Sequence, residues 1–256
     1  MLAIVSDIHS NLEALQAVLA DIERRGASEI ICLGDVIGYG PSPRECLSLA
    51  RRRFRLTLCG NHEWAVLNEP LGFHRAAREA ARWHREQLQP RWYSPKEVRD
   101  NWEFLRSLPL MHRRGRMLFV HASPSNPTEE YLLRTDVDEI MHEMSPKLAR
   151  AFERTDWVTF VGHTHYPGIF TEDARFLVPK EIDHTCALQP GRKLIVNVGS
   201  VGQPRDGDHR ACYVTLDKGV LRYHRIEYDV RETVRKVAAT GGRLDRSLGE
   251  RLLSGS

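Results

Sequence analysis

The chain has 256 residues, with 37 Lys or Arg against 34 Asp or Glu and a formal charge of +3 with neutral histidine. At 41% hydrophobic and 28% charged it has ordinary globular composition, and its charge excess is too small to argue for nucleic acid as a partner. No apolar run is long enough to span a bilayer, and the opening "MLAIVSDIHSN" lacks a basic n-region and meets Asp7 early, so it reads as a first strand and not as a signal peptide.

The first half of the chain alternates strand and helix. "LAIVS" is a short apolar run, and "NLEALQAVLADIERRG" has helical spacing and ends in Gly26. Asn11 reads as the cap of that helix. "EIICLG" is a second strand. "SPRECLSLARRR" is a helix with Ser42 placed as N-cap and Pro43 at its first position. The run Arg51 to Arg55 reads as a solvated helix end, not as a phosphate cradle. "FRLTLCG" is a third strand, and this order predicts a parallel sheet covered by helices. A helical region follows from Gly72 to Leu108, with Phe73 and Trp83 as core or cap residues.

The second half is richer in strands. "RMLFVHAS", "WVTFVGHTH" and "LIVNVGS" each end an apolar run in a polar cluster, and "ACYVTLD-KG-VLRYHRIEY" alternates like a hairpin around Lys218 and Gly219. A last helix runs from Val230 to Ala239. We expect a single α/β domain with two sheets over residues 1–240 and a C-terminal tail over 241–256. The five cysteines show no CxxC spacing, which suggests free thiols in a reducing cytoplasm.

Strand after strand ends in metal-ligand residue types. Asp7 and His9 follow the first, Asp35 the second, and Asn61 and His62 the third. His121 ends "FVHAS", and His163 and His165 end "FVGHTH". In open α/β sheets the ligand crevice lies outside the carboxyl ends of the strands. Carboxylate with imidazole and no thiolate suits Mn, Fe, Zn, Co or Ni better than Ca or Mg alone. The inventory exceeds one tetrahedral site and suits a pair of divalent ions, a geometry used for phosphate-ester hydrolysis. Ser6, Ser10 and Ser123 lack the G-x-S-x-G elbow of a serine hydrolase.

The set D-x-H (Asp7, His9), G-D (Gly34, Asp35), G-N-H-E (Gly60 to Glu63), a strand-end His121 and G-H-T-H (Gly162 to His165) resembles the calcineurin-like metallophosphoesterases in order and spacing. "GDVIGYGPSP" and "NVGSVGQPRDGD" look more like the bacterial small phosphodiesterase and diadenosine tetraphosphatase-like branch. The resemblance implies a four-layer αββα sandwich of two mixed β-sheets flanked by helices, with a dinuclear site at the strand C-terminal ends. It implies that Asp7, His9 and His165 hold one ion, that Asn61, His121 and His163 hold the other, and that Asp35 bridges. It implies His62 as the catalytic proton donor and a hydroxide between the ions as nucleophile. The expected activity is metal-dependent hydrolysis of a phosphate ester or phosphoanhydride of a small molecule, a diester or nucleotide-type substrate being favoured. Open alternatives are a phosphomonoesterase, a nuclease on the same site, or a non-catalytic scaffold.

One departure stands out. The family's protein phosphatases carry G-D-x-x-D-R-G, where the second Asp orients the catalytic His and the Arg grips phosphate; Gly38 and Tyr39 occupy those places here. Glu63 is a candidate to orient His62 instead. Arg205 is either a substitute phosphate contact or a surface salt bridge, and Tyr39 either stacks on a base or lines the rim. The crevice walls are expected in 72–108, 129–144 and 176–189, with His74 and His184 as histidines that could fold over the site.

Overall fold

The computed structural model describes residues 1–70 and 72–256. In its first half the strands are β1 (Leu2–Val5), β2 (Glu29–Cys32), β3 (Leu56–Thr57), β4 (Met111–Arg114) and β5 (Met117–Val120). The second half adds β6 (Val137–Asp138), β7 (Glu143–Met144), β8 (Val158–Val161), β9 (Gly168–Thr171) and β10 (Arg175–Leu177). It closes with β11 (Thr185–Ala187), β12 (Leu194–Asn197), β13 (Ala211–Asp217) and β14 (Val220–Ile226). The helices are α1 (Leu12–Arg24), α2 (Pro43–Arg53), α3 (Asn61–Leu67), α4 (Arg75–Leu88), α5 (Lys96–Arg106), α6 (Pro146–Glu153), α7 (Val230–Ala238) and α8 (Ser247–Ser254).

Two six-stranded mixed sheets result, one ordered β11-β14-β13-β1-β2-β3 and the other β10-β9-β12-β8-β5-β4. Their inner members, β1-β2-β3 and β5-β8-β12, are parallel, and the outer strands join antiparallel. The period-2 alternation of strand side chains decides the layering. In β1, Leu2 and Ile4 point into the space between the sheets, where they meet Phe160, Val196 and Val214. Ala3 and Val5 point the other way, onto Leu15, Val18 and Leu47 of α1 and α2. On the far face of the second sheet, Val161, Phe170 and Ile195 pack on Leu148 and Phe152 of α6. Each fully buried Ile or Leu in these layers stabilises the fold by about 2 kcal/mol. The αββα expectation is met.

Local details depart from it. Ser42 stands at the N-cap of α2 but its hydroxyl makes no capping bond; Pro43 alone pre-sets the first turn. Asn11 does cap α1, accepting from Ala14 N–H at 3.1 Å. The basic end of α2 pairs with α5, Arg51 donating to Asn101 Oδ1 and Arg52 to Glu97. The hairpin turn is where the alternation put it, with Lys218 and Gly219 both left-handed (φ 48° and 78°). The segment expected as a tail contains α8, and its Leu244 and Leu248 are buried against Tyr39, Ala77 and Ala80. No helix among the described residues is long and apolar enough to cross a membrane.

Candidate metal centre

All six parallel strands end on one rim, and the chain leaves β1, β2 and β8 through left-handed residues. Asp7, His9, Asp35, His163 and His165 adopt positive φ between 48° and 63°. Non-glycine residues pay about 1–3 kcal/mol each for that region, and such strain is held where the surrounding structure over-determines it. Here the return is side-chain aim: a left-handed residue turns its side chain back over the strand end. The turn after β8 also lies so close to β1 that a Cβ on Gly162 would overlap Ser6 Oγ and the Asp7 carboxylate.

The first group formed is Asp7, His9 and His165, all buried. His9 Nδ1 lies 3.2 Å from Ile37 O, and His165 Nδ1 lies 2.6 Å from Gln203 O. A carbonyl only accepts, so both rings carry their proton on Nδ1. Burial and neighbouring cationic groups hold both histidines below their usual range, so both are neutral. Each Nε2 is therefore a bare lone pair. The two lie 3.0 Å apart, with Asp7 Oδ1 3.2 Å from that of His165. Three acceptors face one another with no donor among them, and a cation fits there.

The second group is Asn61, His121 and His163. His121 Nε2 stands 3.1 Å from Asn61 Oδ1 and 3.2 Å from His163 Nδ1. Asp35 lies between the groups, its Oδ2 being 3.7 Å from His9 Nε2 and 3.4 Å from His121 Nε2. Against the cost of burial, Asp35 pushes His121 up to about 9, a measure of the negative field at this point. The other oxygen of Asp35 accepts from the His62 backbone N–H at 2.9 Å. The seven residues expected to hold metal are thus brought together.

His62 sits beside them, its ring among His9 (4.9 Å between centroids), Tyr39 (4.4 Å) and Phe73 (4.9 Å). Burial lowers it to about 4. Its Nδ1 has no hydrogen-bond partner and packs onto Gly38, where a Cβ would overlap the ring. The carboxylate of Glu63 does not take the orienting role suggested for it. It accepts from the backbone N–H of Asp35 (2.7 Å), Ile37 (3.1 Å) and Gly60 (2.8 Å), tying the second and third strand ends together. Aromatic packing, not an acid, positions His62.

Arg205 lies over Tyr39, its Cζ 6.0 Å from the ring, and donates through Nη2 to Gln203 Oε1 at 2.7 Å. Its Nε is buried without a partner, and no ion pair engages it among the described residues. Both rim candidates, Arg205 and Tyr39, therefore border the cluster.

Two expectations are corrected. His184 does not fold over the site: it precedes β11, at the sheet edge farthest from β3, and its carbonyl accepts from Tyr223 N–H. The wall expected over 176–189 contributes Phe176 near the site, while 185–187 forms that edge strand. Two functional neighbours carried no sequence signal. Tyr131 stacks on His163 at 3.9 Å, and the fully buried His84 accepts from Gly38 N–H (2.9 Å) and donates to Gly40 O (2.8 Å), clamping the loop beneath His62. His84 lies on the buried face of α4, and nothing local in "AARWHREQL" names its partners.

A family model described as the calcineurin-like phosphoesterase superfamily domain matches residues 1–219. An uncharacterized protein of Methanocaldococcus jannaschii is 37% identical, over 100% of this chain and 98% of its own. The crystal structure of a metallophosphoesterase from Sphaerobacter thermophilus is similar at 33% identity with a TM-score of 0.79, covering 100% of this chain and 99% of that one. A hypothetical protein from Pyrococcus horikoshii shares the fold at 19% identity, TM-score 0.74, with 100% and 99% coverage.

Proposed function

The chain belongs to the calcineurin-like phosphoesterase superfamily and is a phosphoric ester hydrolase, and from that premise we propose that it hydrolyses a phosphodiester or phosphoanhydride of a small molecule. The observation that carries this reading is the acceptor-only trio of Asp7 Oδ1, His9 Nε2 and His165 Nε2. It is a ligand set with no protein donor to satisfy it.

Asp7, His9 and His165 would hold one divalent ion, Asn61, His121 and His163 the other, with Asp35 shared. The nitrogen and oxygen donors suit Mn, Fe, Zn, Ni or Co. When bound, the pair supplies positive charge against the phosphate oxygens and an acidified water as nucleophile. Asn61 is neutral, so the ligand set leaves net positive charge for an anionic substrate.

The chain's own residues do the rest. His62 is the proton donor to the leaving oxygen. Burial disfavours its charged form, and the negative charge of a bound phosphate would favour it. Arg205, with its unpartnered Nε, contacts the phosphate from the Tyr39 side. Gly38 leaves room for the bare Nδ1 face of His62 but supplies no carboxylate, which argues against the phosphoprotein-phosphatase mode. The five cysteines are free, in keeping with a reducing cytoplasm.

The test is hydrolysis of bis-p-nitrophenyl phosphate beside p-nitrophenyl phosphate, with chelated protein and with Mn²⁺ restored. Turnover of the diester that depends on added metal is expected. Turnover of the monoester alone would replace this reading with a phosphomonoesterase. No turnover of either by metal-loaded protein would leave nucleotide substrates to try, and then the scaffold.

A further inference from the structure

Beside the ligand cluster lies a cavity of about 290 Å³ that the reaction so far does not use. Its apolar wall is Leu132, Leu133, Tyr166 and Phe176; its wall toward the cluster is Thr164 and Arg205. Both of the latter are one step from the ligands. Thr164 separates His163 from His165, and Arg205 N–H donates to His165 O at 3.4 Å.

The wall is held in place. Thr164 Oγ1 accepts from Asn197 Nδ2 at 2.8 Å and from Tyr166 N–H at 3.3 Å. The Tyr166 and Phe176 rings lie 6.2 Å apart at 47°, and Phe176 N–H is tied to Glu139 Oε1 at 3.1 Å. Arg134 adds a second guanidinium, and no carboxylate lines the cavity among the described residues.

We propose that this cavity is the subsite for the planar base of a nucleotide-type substrate, whose phosphate lies at the histidine–aspartate cluster with Arg205 between the two. This deepens, and rests on, the phosphoesterase reading above. Three features select a base. Half of the apolar wall is aromatic, with Tyr166 the more open ring beside the buried Phe176, and aromatic and guanidinium faces stack on planar π-systems. Two cations with no acid suit a group tethered to a phosphate. The volume sits at the small end of ligand pockets, enough for one ring system and not for a polymer. Arg205 lines both the cavity and the approach to the cluster, and its buried Nε has no partner among the described residues, which leaves it free for an ester or anhydride oxygen of such a substrate.

The experiment is calorimetric titration of Mn²⁺-loaded full-length protein with adenosine 5′-monophosphate, n-hexyl phosphate and inorganic phosphate. The same titrations are made on Leu133→Trp, which fills the cavity from its exposed lip, and on Leu133→Glu, which sets a hydrated charge on the apolar wall where the base would lie. Adenosine monophosphate is expected to bind about ten-fold tighter than phosphate, and that ratio should fall toward one in both variants. A ratio near one in the unmodified protein, or one that survives both substitutions, overturns the proposal. Hexyl phosphate gaining as much as the nucleotide would make the cavity an aliphatic pocket and also overturns it. Phosphate failing to bind the metal-loaded protein at all would fell the phosphoesterase reading and this proposal with it.

Discussion

The two ligand groups hold their histidines by different means. In the Asp7 group both rings donate Nδ1–H to backbone carbonyls, so tautomer and aim are set by the fold. In the Asn61 group, His121 Nδ1 and His163 Nε2 are buried without partners. Among the described residues the far side of each ring is held by packing alone, including Tyr131 on His163. Hydrogen bonds to the second nitrogen of a ligating imidazole raise its basicity and pre-set its orientation. One group also brings a carboxylate of its own and the other a neutral amide. The lesson is a graded cluster: a pre-organised group beside a looser one, with Asp35 between them.

The largest effect should come from removing what the two share. Asp35→Ala is expected to lose both ions and reduce diester turnover to background, read by elemental analysis of the purified protein alongside the assay. Retention of both ions would mean that the groups are independent and that Asp35 does not couple them.

Next, His62→Ala is expected to lower kcat by about 10²- to 10⁴-fold while leaving metal content unchanged, because His62 belongs to neither group. If it instead released an ion, His62 would be a ligand, as its closeness to His9 and Asp35 allows, and the grouping would have to be redrawn.

The comparison itself is sharpened by competition with a chromogenic chelator. Two affinity classes about 10- to 100-fold apart are expected. His163→Ala should abolish the weaker class and His9→Ala the tighter one. A single class, or the reverse assignment, would break the argument from ring-nitrogen partners.

The smallest effect concerns a histidine outside both groups. His84 has both nitrogens engaged by backbone, and burial lowers it to about 3. Its folded value lies below the unfolded value of about 6.5, so the unfolded chain binds the extra proton first. The stability from keeping His84 neutral is present above about pH 6.5 and is lost as pH falls from there toward 3. In chelated protein, Tm should fall between pH 7.5 and 5, and less steeply in His84→Gln. Equal slopes in the two proteins would show that His84 does not set this dependence.

Some parts of the fold were harder to read than others, for identifiable reasons. The strands of the two parallel cores are short continuous apolar runs that stand out between polar turns. β4 is "MHRR", exposed along its length at the sheet edge, so pairing with β5 and not composition makes it a strand. α3 and α6, of seven and eight residues, are shorter than a periodic pattern needs, although Ser145 before Pro146 is a start signal that could have marked α6. Helix α8 depends on burying Leu244 and Leu248 against Tyr39 and α4, and its own weak helical pattern did not announce that.

The same division runs through the site. Which residues meet was legible in the chain, because parallel strands deliver their carboxyl ends to one edge and each end here carries a ligand type. What each ring does there was not. The partner of His9 Nδ1 is the carbonyl of Ile37, that of His165 Nδ1 the carbonyl of Gln203, and the floor under His62 is Gly38 clamped by His84. Those contacts join separate strand-end loops across the rim. The sequence by itself determined which ligand-type residues the chain carries and the edge they gather on; only tertiary packing decided protonation, aim and which side chains face one another, because hydrogen bonds between distant loops leave no periodicity in the chain.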